Sequence, residues 1–202
     1  RALLSDAVSV IGTGTATFSD KNVANGKVVT ASGYTLTGTD SGNYNLVQPT
    51  GLTANITPKA LTISGMSADN KVYDGTTNAS LSGGTLLGLV GGESLVVSGL
   101  RATFDTKNAG SNKTVTVAGA TLANGTNGGL ASNYTISNPN NLTADIIPKA
   151  LTIIGMSADN KVYDAGTTAN VRYTDDRLGT DQLTVNGTAN FSNKNVGTGK
   201  VV

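Results

Sequence analysis

Apolar and polar residues alternate along most of this chain, and a two-residue period predicts β-strands. In "LTANI", Leu52, Ala54 and Ile56 fall on one face, and the later segment "LTADI" repeats the order. Val115 and Val117 alternate with threonines in the same way. Gly, Asn and Asp separate these runs, and no stretch has the 3.6-residue period of an amphipathic helix. The pattern therefore predicts an all-β fold.

Three further segments align with one another: "DAVSVIG", "ESLVVSG" and "DQLTVNG". Each has the alternation of a half-buried strand. The pattern predicts that Val10, Val97 and Val185 share a buried face.

The whole chain is built from copies of one sequence. "ALTISGMSADNKVYD" begins at Ala60 and returns as "ALTIIGMSADNKVYD" at Ala150, about 90 residues later. "ATFSDKNVANGKVV", "ATFDTKNAGSNKTV" and "ANFSNKNVGTGKVV" recur with a similar period. Such a period indicates a tandem array. The predicted domains are the end of a first copy (1–57), a complete central copy (58–147) and the start of a third copy (148–202).

Each copy is predicted to be a small, mostly antiparallel β domain of about seven short strands, either a sandwich or a β-grasp-like roll. Pro58 and Pro148 separate two strand-like runs by only two residues. Because proline has no N–H to donate, it suits a strand end or an edge. So short a link predicts stiff junctions and an extended rod. Both ends of the sequence fall inside a copy, so we expect a longer parent chain.

The recurring aromatic and acidic residues are interpreted as structural. We expect recurring aromatic side chains in the core and, within "KVYD", tyrosines at the core edge with aspartates that cap a tight turn. A ligand site built from "KVYD" is the alternative. The expected core residues are Phe18, Phe104, Phe191, Tyr44 and Tyr134, and the turn residues are Tyr73, Asp74, Tyr163 and Asp164.

Composition argues against several functions. The chain has 14 basic and 13 acidic residues, which gives no basic field for nucleic acid. No apolar run is long enough for membrane insertion. Because His and Cys are absent, Ser-His and Cys-His triads and the usual zinc sites are excluded. Asp6, Glu93 and Asp181 share one aligned position but have no recurring acidic partner, so we expect no enzyme activity and no cofactor.

One turn contains candidate metal ligands. "GTDSGNY" groups oxygen side chains around a glycine, as calcium loops do, which makes Asp40 and Asn43 candidate calcium ligands. The matching stretch of the central copy lacks the acid, so the preferred interpretation is a turn whose polar side chains bind their own backbone.

Four motifs carry a family resemblance: "NKVYDGTT", "FSNKNVGTGKVV", "SGNYNL" and "TADIIPKALT". Together they resemble the YDG-type repeat domains of filamentous haemagglutinin-like bacterial adhesins. The resemblance covers essentially the whole chain and departs from the pattern at Ala165, which interrupts the second "YDG". It implies a β module in the stalk of a large exported protein at the bacterial cell surface.

The expected function is a structural stalk or spacer of a secreted adhesin, extracellular fibre or biofilm matrix, without catalysis. Its partners would be neighbouring copies of the same chain and a host or matrix receptor. A glycan- or matrix-binding module is the first alternative, and it would require Tyr34 and Tyr173 to be exposed. A filament subunit that assembles through strand edges is the second alternative.

Overall fold

The computed structural model describes residues 5–179 and 181–202 of the chain. Strands account for 46% of the described residues, which contain no α-helix. Its two helical segments are single 3-10 turns at Ser41–Asn43 and Ala131–Asn133. Within the described ranges, neither is long or apolar enough to cross a membrane. The prediction of an all-β fold is confirmed.

The first copy forms two small antiparallel sheets. Strand β1 pairs with β4, and β2, β3 and β5 form a three-stranded sheet with β3 in the middle. The strands are β1 (Ser9–Ile11), β2 (Thr15–Phe18), β3 (Ala24–Ser32), β4 (Thr35–Thr37) and β5 (Leu52–Ile56).

The central copy contains ten strands, more than the seven or so predicted, because several runs are interrupted by glycines and turns. Its sheets have the orders β7-β15-β12-β11-β8, β14-β6-β9 and β10-β13. The pairings β7–β15 and β6–β14 are parallel, whereas β8–β11, β10–β13 and β12–β15 are antiparallel. The strands are β6 (Lys59–Ala68), β7 (Lys71–Val72), β8 (Asn78–Ala79), β9 (Leu81–Leu87), β10 (Leu95–Ser98), β11 (Arg101–Phe104), β12 (Gly110–Ala118), β13 (Thr121–Asn124), β14 (Tyr134–Ile136) and β15 (Leu142–Ile147).

The third copy has two short antiparallel pairs, β16 with β18 and β17 with β19. Residues 181–187, which contain the "DQLTVNG" segment, form no strand. The strands are β16 (Ile153–Ala158), β17 (Thr168–Ala169), β18 (Val171–Asp175) and β19 (Ala189–Asn190).

A β-bulge recurs in the long strands that follow Phe18 and Phe104. In β3 the register shifts between Ala24 and Lys27, and Gly26 has a φ of 63°. In β12 the shift falls between Gly110 and Lys113, and Asn112 has a φ of 50°. Glycine and asparagine adopt this left-handed conformation most readily. The bulge therefore follows from the Asn-Gly and Ser-Asn steps in the sequence.

The side chain on the neighbouring strand satisfies the bulge. The N–H of Gly26 donates to Oδ1 of Asn55 at 2.8 Å. The N–H of Asn112 donates to Oδ1 of Asp145, also at 2.8 Å. This contact gives the polar position of "LTANI" and "LTADI" a defined role, because it pins the register between the two strands.

The most deeply buried side chains belong to the central copy. Leu61, Ile146, Val115 and Phe104 are exposed by 0%, 1%, 2% and 3%. Val117 is also buried, at 6%, as the alternation predicted. The predicted buried face of the "DAVSVIG" set is wrong for Val10, which is 58% exposed because β1 has only β4 beside it.

The chain divides into two compact units. The first contains residues 1–66, 83–101 and 117–140, and the second contains residues 67–82, 102–116 and 141–202. Each unit therefore combines residues of two successive copies of the sequence.

Candidate functional site

The "KVYD" segment of the central copy closes on itself around one carboxylate. Oδ1 of Asp74 accepts hydrogen bonds from the Nζ of Lys71 and the N–H of Thr76, both at 2.8 Å. The same ammonium group also donates to the carbonyl oxygen of Thr76 at 2.9 Å. The lysine and the backbone N–H lower the pKa of Asp74 to about 2. The turn is thus held by groups that lie within six residues of one another.

The third copy forms the same turn despite its extra residue. Oδ1 of Asp164 accepts from the Nζ of Lys161 at 2.8 Å and from the N–H of Gly166 at 2.9 Å. Ala165 takes the place of the glycine and has a φ of 62°, close to the 78° of Gly75. The insertion therefore leaves the carboxylate geometry intact and places an alanine in a conformation that favours glycine.

The turn lysine also lies over the phenylalanine of its own copy. Nζ of Lys71 is 5.5 Å from the ring centre of Phe104, and Nζ of Lys161 is 5.7 Å from that of Phe191. Phe104 is buried and Phe191 is half-buried. Phe18 is 42% exposed, so its predicted core position is wrong. Residues 1–57 contain no "KVYD" turn to cover that ring.

The later lysine of each "KN" segment closes the loop that follows the phenylalanine. Nζ of Lys27 lies 2.6 Å from Asp20, and that of Lys113 lies 2.7 Å from Asp105. In the third copy the Nζ of Lys200 donates to the carbonyl oxygen of Asn193 at 2.7 Å. Lys27 is only 8% exposed. These lysines are therefore occupied within their own hairpins.

The first lysine of the "KN" pair in the first and central copies instead contacts the copy that follows. Nζ of Lys21 lies 2.5 Å from Oε1 of Glu93, and the hydroxyl of Tyr134 donates to Oε2 of the same residue at 2.7 Å. These two hydrogen bonds lower the pKa of the Glu93 carboxyl. The Glu93 side chain is 9% exposed and the Tyr134 residue is 7% exposed. The Glu93 carboxylate of the central copy thus accepts from a tyrosine of its own copy and from a lysine of the preceding copy.

An amide pair extends this contact, which we call the first junction (Lys21, Asn22, Glu93, Asn133 and Tyr134). Nδ2 of Asn133 donates to Oδ1 of Asn22 at 3.1 Å. Oδ1 of Asn133 accepts from the N–H of Val23 at 2.9 Å. The second residue of the "KN" pair therefore faces the "NY" segment of the following copy.

In the second junction (Tyr73, Lys107 and Asp181), the lysine and the acid occupy the aligned positions, whereas the tyrosine comes from the "KVYD" segment. Nζ of Lys107 lies 3.8 Å from Oδ1 of Asp181, which also accepts from the hydroxyl of Tyr73 at 2.8 Å. This hydrogen bond raises the pKa of the Tyr73 phenol. Lys21 and Lys107 are aligned, and so are Glu93 and Asp181. The acid at this position therefore meets the preceding copy's lysine at both junctions.

The sequence did not reveal this lysine–acid contact. The two residues of each pair lie in different copies, so no local spacing links them. The signal that was available is their repetition: three acids and three lysines occupy fixed positions in the period. In the first copy the acid, Asp6, accepts a hydrogen bond from the hydroxyl of Tyr44, as Glu93 does from Tyr134.

Tyr163 departs from its predicted place at the edge of the core. Its side chain is 57% exposed, whereas Tyr73 is half-buried. The N–H of Tyr73 donates to the carbonyl oxygen of Ile147 at 2.8 Å, and its hydroxyl reaches the second junction. Among residues 5–179 and 181–202, no strand pairs with Lys161 and Val162 as β15 pairs with Lys71 and Val72.

The two prolines lie between strands but in different settings. Pro58 stands between β5, which ends at Ile56, and β6, which begins at Lys59. Pro148 follows β15, and the next strand begins only at Ile153. There the segment is held by Asp176, whose Oδ1 accepts from the N–H of Thr152 and whose Oδ2 accepts from the Nζ of Lys149, both at 2.7 Å.

The candidate calcium ligands lie in a turn that uses its own oxygens. Oδ2 of Asp40 accepts from the N–H of Ala7 at 2.7 Å. The N–H of Asn43 donates to the carbonyl oxygen of Asp40 at 3.1 Å. Across residues 5–179 and 181–202, no group of three or more Asp, Glu, His or Cys residues could hold a metal ion.

Neither tyrosine considered for glycan binding forms an open platform. Tyr34 is half-buried, and its backbone exchanges hydrogen bonds with the side chain of Gln48. Tyr173 is also half-buried, and its hydroxyl donates to the carbonyl oxygen of Val185 at 3.0 Å.

These features define a class of all-β protein in which a sequence of about 90 residues recurs and successive copies meet through a lysine–acid contact. The family model described as the YDG domain matches residues 2–51, 57–142 and 147–202. The chain therefore belongs to the YDG domain family. No curated protein and no solved structure matches it.

Proposed function

We propose that this chain is a segment of the stalk of a large secreted bacterial surface adhesin or extracellular fibre. In this role the YDG copies act as spacers without catalytic activity, arranged as an extended rod outside the cell. The observation that carries the proposal is the recurring junction, in which a lysine of one copy meets an acid of the next. Each junction lies within one compact unit, and each unit combines two successive copies, so these contacts fasten one copy to the next along the chain.

Three properties of the junctions support this role. The acid of the first junction is only 9% exposed and accepts from two side chains, one of them a lysine that is 67% exposed. The amide pair between Asn22 and Asn133 adds a second point of attachment. The link between β5 and β6 is only two residues long, which leaves little chain for a hinge. Together these features restrain neighbouring copies more than a single flexible linker would.

The composition is consistent with a spacer at the cell surface. Charges are few and nearly balanced, which limits non-specific attraction to other molecules. The lysines of the "KVYD" turns and the phenylalanine hairpins are paired within their own copies. These groups therefore support the fold of the copy.

Spin-label distance measurement across the first junction tests the proposal. The chain has no cysteine, so labels can be attached at Val47→Cys and Val90→Cys, which replace side chains exposed by 80% and 51% in the first and central copies. We expect a narrow distance distribution that broadens when Glu93→Ala is combined with Asn133→Ala. Arg172→Gln is the control, because it removes an ion pair that lies within the third copy.

The width of the spin-label distance distribution shows whether the first junction restrains the two copies. A parent chain whose distribution is as broad as that of the Glu93→Ala, Asn133→Ala variant would refute the stiff-junction proposal. Circular dichroism of each variant separates a loosened junction from a loss of fold.

A further inference from the structure

The strands of the central copy fall into two sets that belong to different sheets. One set forms the sheet with the order β7-β15-β12-β11-β8, and the other forms the sheets β14-β6-β9 and β10-β13. We call the first set the forward half (β7, β8, β11, β12 and β15) and the second set the backward half (β6, β9, β10, β13 and β14). The chain passes from one half to the other several times within this one copy.

The two halves also lie in different compact units. The second unit takes residues 67–82, 102–116 and 141–147 of the central copy, and the first unit takes the rest of that copy. These ranges match the forward and backward halves to within two residues at each strand end. Strand pairing and compactness therefore divide the copy in the same way. The central copy is complete and has residues of another copy on both sides.

Each half is closed by hydrogen bonds of its own. In the forward half, the N–H of Phe104 donates to the carbonyl oxygen of Thr77 at 2.8 Å. In the backward half, the N–H of Ser94 donates to the carbonyl oxygen of Thr126 at 3.2 Å. These bonds join segments that are distant in sequence, so each half is a folded structure and not a loop of the other.

The backward half meets the copy that precedes it. At the first junction Glu93 accepts from Lys21, and Asn133 bonds to Asn22 and to the N–H of Val23. Residues 21–23 connect β2 with β3, and these two strands align with β11 and β12 of the forward half. The backward half of the central copy thus contacts the part of the first copy that corresponds to a forward half.

The forward half meets the copy that follows it. Lys107, in the loop between β11 and β12, and Tyr73 both reach Asp181 at the second junction. A Cβ atom on Gly75 would lie 3.3 Å from Cδ1 of Leu178, so the backbone of the "KVYD" turn also approaches the third copy. The same loop of two successive copies therefore meets the same aligned acid of the copy that follows.

We propose that each copy carries two docking surfaces for other copies of the repeat, and that its two halves fold with different neighbours. The backward half completes a unit with the forward half of the preceding copy. The forward half completes a unit with the backward half of the following copy. Because the two surfaces differ, the contact is heterologous and repeats from copy to copy along the chain.

This arrangement changes how neighbouring units are connected. Within the central copy the chain passes between the two units five times, at 66/67, 82/83, 101/102, 116/117 and 140/141. Pro58 and Pro148, at the boundaries between copies, each lie inside a unit. The units are therefore joined through a shared copy and not through a single linker. The inference concerns folding partners, so it does not depend on the stalk proposal.

Native-state hydrogen exchange of the full chain tests the assignment with four aligned amides. They donate to backbone carbonyl oxygens at 3.1, 3.0, 3.0 and 2.9 Å and are the N–H groups of Ser19, Asp105, Glu93 and Asp181. Ser19 and Glu93 are the first-unit amides, although they belong to different copies. Asp105 and Asp181 are the second-unit amides and also belong to different copies.

Two variants of the central copy separate the units. Leu61→Ala removes a side chain of the backward half that is 0% exposed, and Ile146→Ala removes one of the forward half that is 1% exposed. Since each change leaves a cavity in one unit, exchange should become at least about tenfold faster at the amides of that unit. Leu61→Ala should therefore accelerate the first-unit amides, and Ile146→Ala the second-unit amides. The other pair should stay within about twofold of its parent rates in each variant.

The pattern of exchange shows whether a copy or a unit folds together. If a copy folded by itself, Leu61→Ala would accelerate Glu93 together with Asp105, and Ser19 would keep its parent rate. That pattern, equal acceleration of all four amides by both variants, or unchanged exchange at Ser19 and Asp181 overturns the proposal. Should circular dichroism show that an alanine variant is unfolded, Leu61→Val and Ile146→Val give the same comparison, because each removes only one methylene group.

Discussion

The two phenylalanines Phe104 and Phe18 occupy the same position in successive copies but differ in how deeply their side chains are buried. Phe104 is 3% exposed and lies under the Nζ of Lys71, whereas Phe18 is 42% exposed. Replacing a fully buried phenylalanine with alanine lowers the free energy of unfolding by about 3 to 5 kcal/mol. This loss contains the transfer free energy of the removed atoms and the energy of the cavity that they leave. Phe18 has little more than half of its surface buried and an open side into which its surroundings can relax. We therefore expect a loss of about 4 kcal/mol for Phe104→Ala and about 1.5 kcal/mol for Phe18→Ala.

Native-state hydrogen exchange measures both losses with matched probes. The N–H of Asp105 donates to the carbonyl oxygen of Thr114 at 3.0 Å, and the aligned N–H of Ser19 donates to that of Val28 at 3.1 Å. Each amide reports the opening free energy of the hairpin beside its own phenylalanine. Urea unfolding followed by circular dichroism gives the global value for the same variants.

The comparison tests whether the "KVYD" turn buries the aromatic ring. Equal losses for Phe104→Ala and Phe18→Ala would show that the hairpin itself provides the burial. That result would refute the expectation that the more deeply buried phenylalanine contributes more to stability.

Two further predictions concern the "KVYD" turns. Ala165→Gly should stabilise the third copy by about 1 kcal/mol, because alanine is strained at positive φ. Gly75→Ala should destabilise the central copy by at least as much, since its new Cβ would also lie 3.3 Å from Leu178. A lower thermal unfolding midpoint for Ala165→Gly would contradict this prediction. The carboxyl of Asp74 has a pKa lowered from 3.8 to about 2, so its contribution to stability is present above pH 3.8 and is lost as the pH falls through 2. An NMR titration should show this low pKa, and Asp74→Asn should remove that part of the acid dependence of unfolding; a titration near 3.8 would contradict the assigned contacts.

Local sequence patterns were sufficient for the all-β class, for several of the strands, for the "KVYD" turns and for the repeats. The alternation in "LTADI" and the paired valines Val115 and Val117 correctly located buried faces, because a strand sends alternate side chains to opposite faces. The aspartates of the "KVYD" turns bind groups within two or three residues, so their role was visible in the spacing. The family was recognisable for the same reason, since its motifs recur in a fixed order.

Contacts between copies could not be predicted from local patterns. Lys21 and Glu93 are separated by most of a period, and only the folded chain brings them together. The role of the repeated "NKVY" segment as the partner of β15 also depends on a pairing between residues that are distant in sequence. Which distant segments pair is determined by the sheet topology. The alternation of apolar and polar residues does not specify that topology.

The strand sequence "LTA-Asx-I" shows what each level determines. By itself it specifies a strand with one apolar face and a polar side chain for the bulge, and it does so in both β5 and β15. Burial is decided by neighbours: Ala144 lies between β12 and β7 and is 5% exposed, whereas the aligned Ala54 is exposed because β5 has only β3 beside it. The same residues therefore form a core in one copy and an open surface in another, because burial is a property of the packed strands and not of the strand sequence.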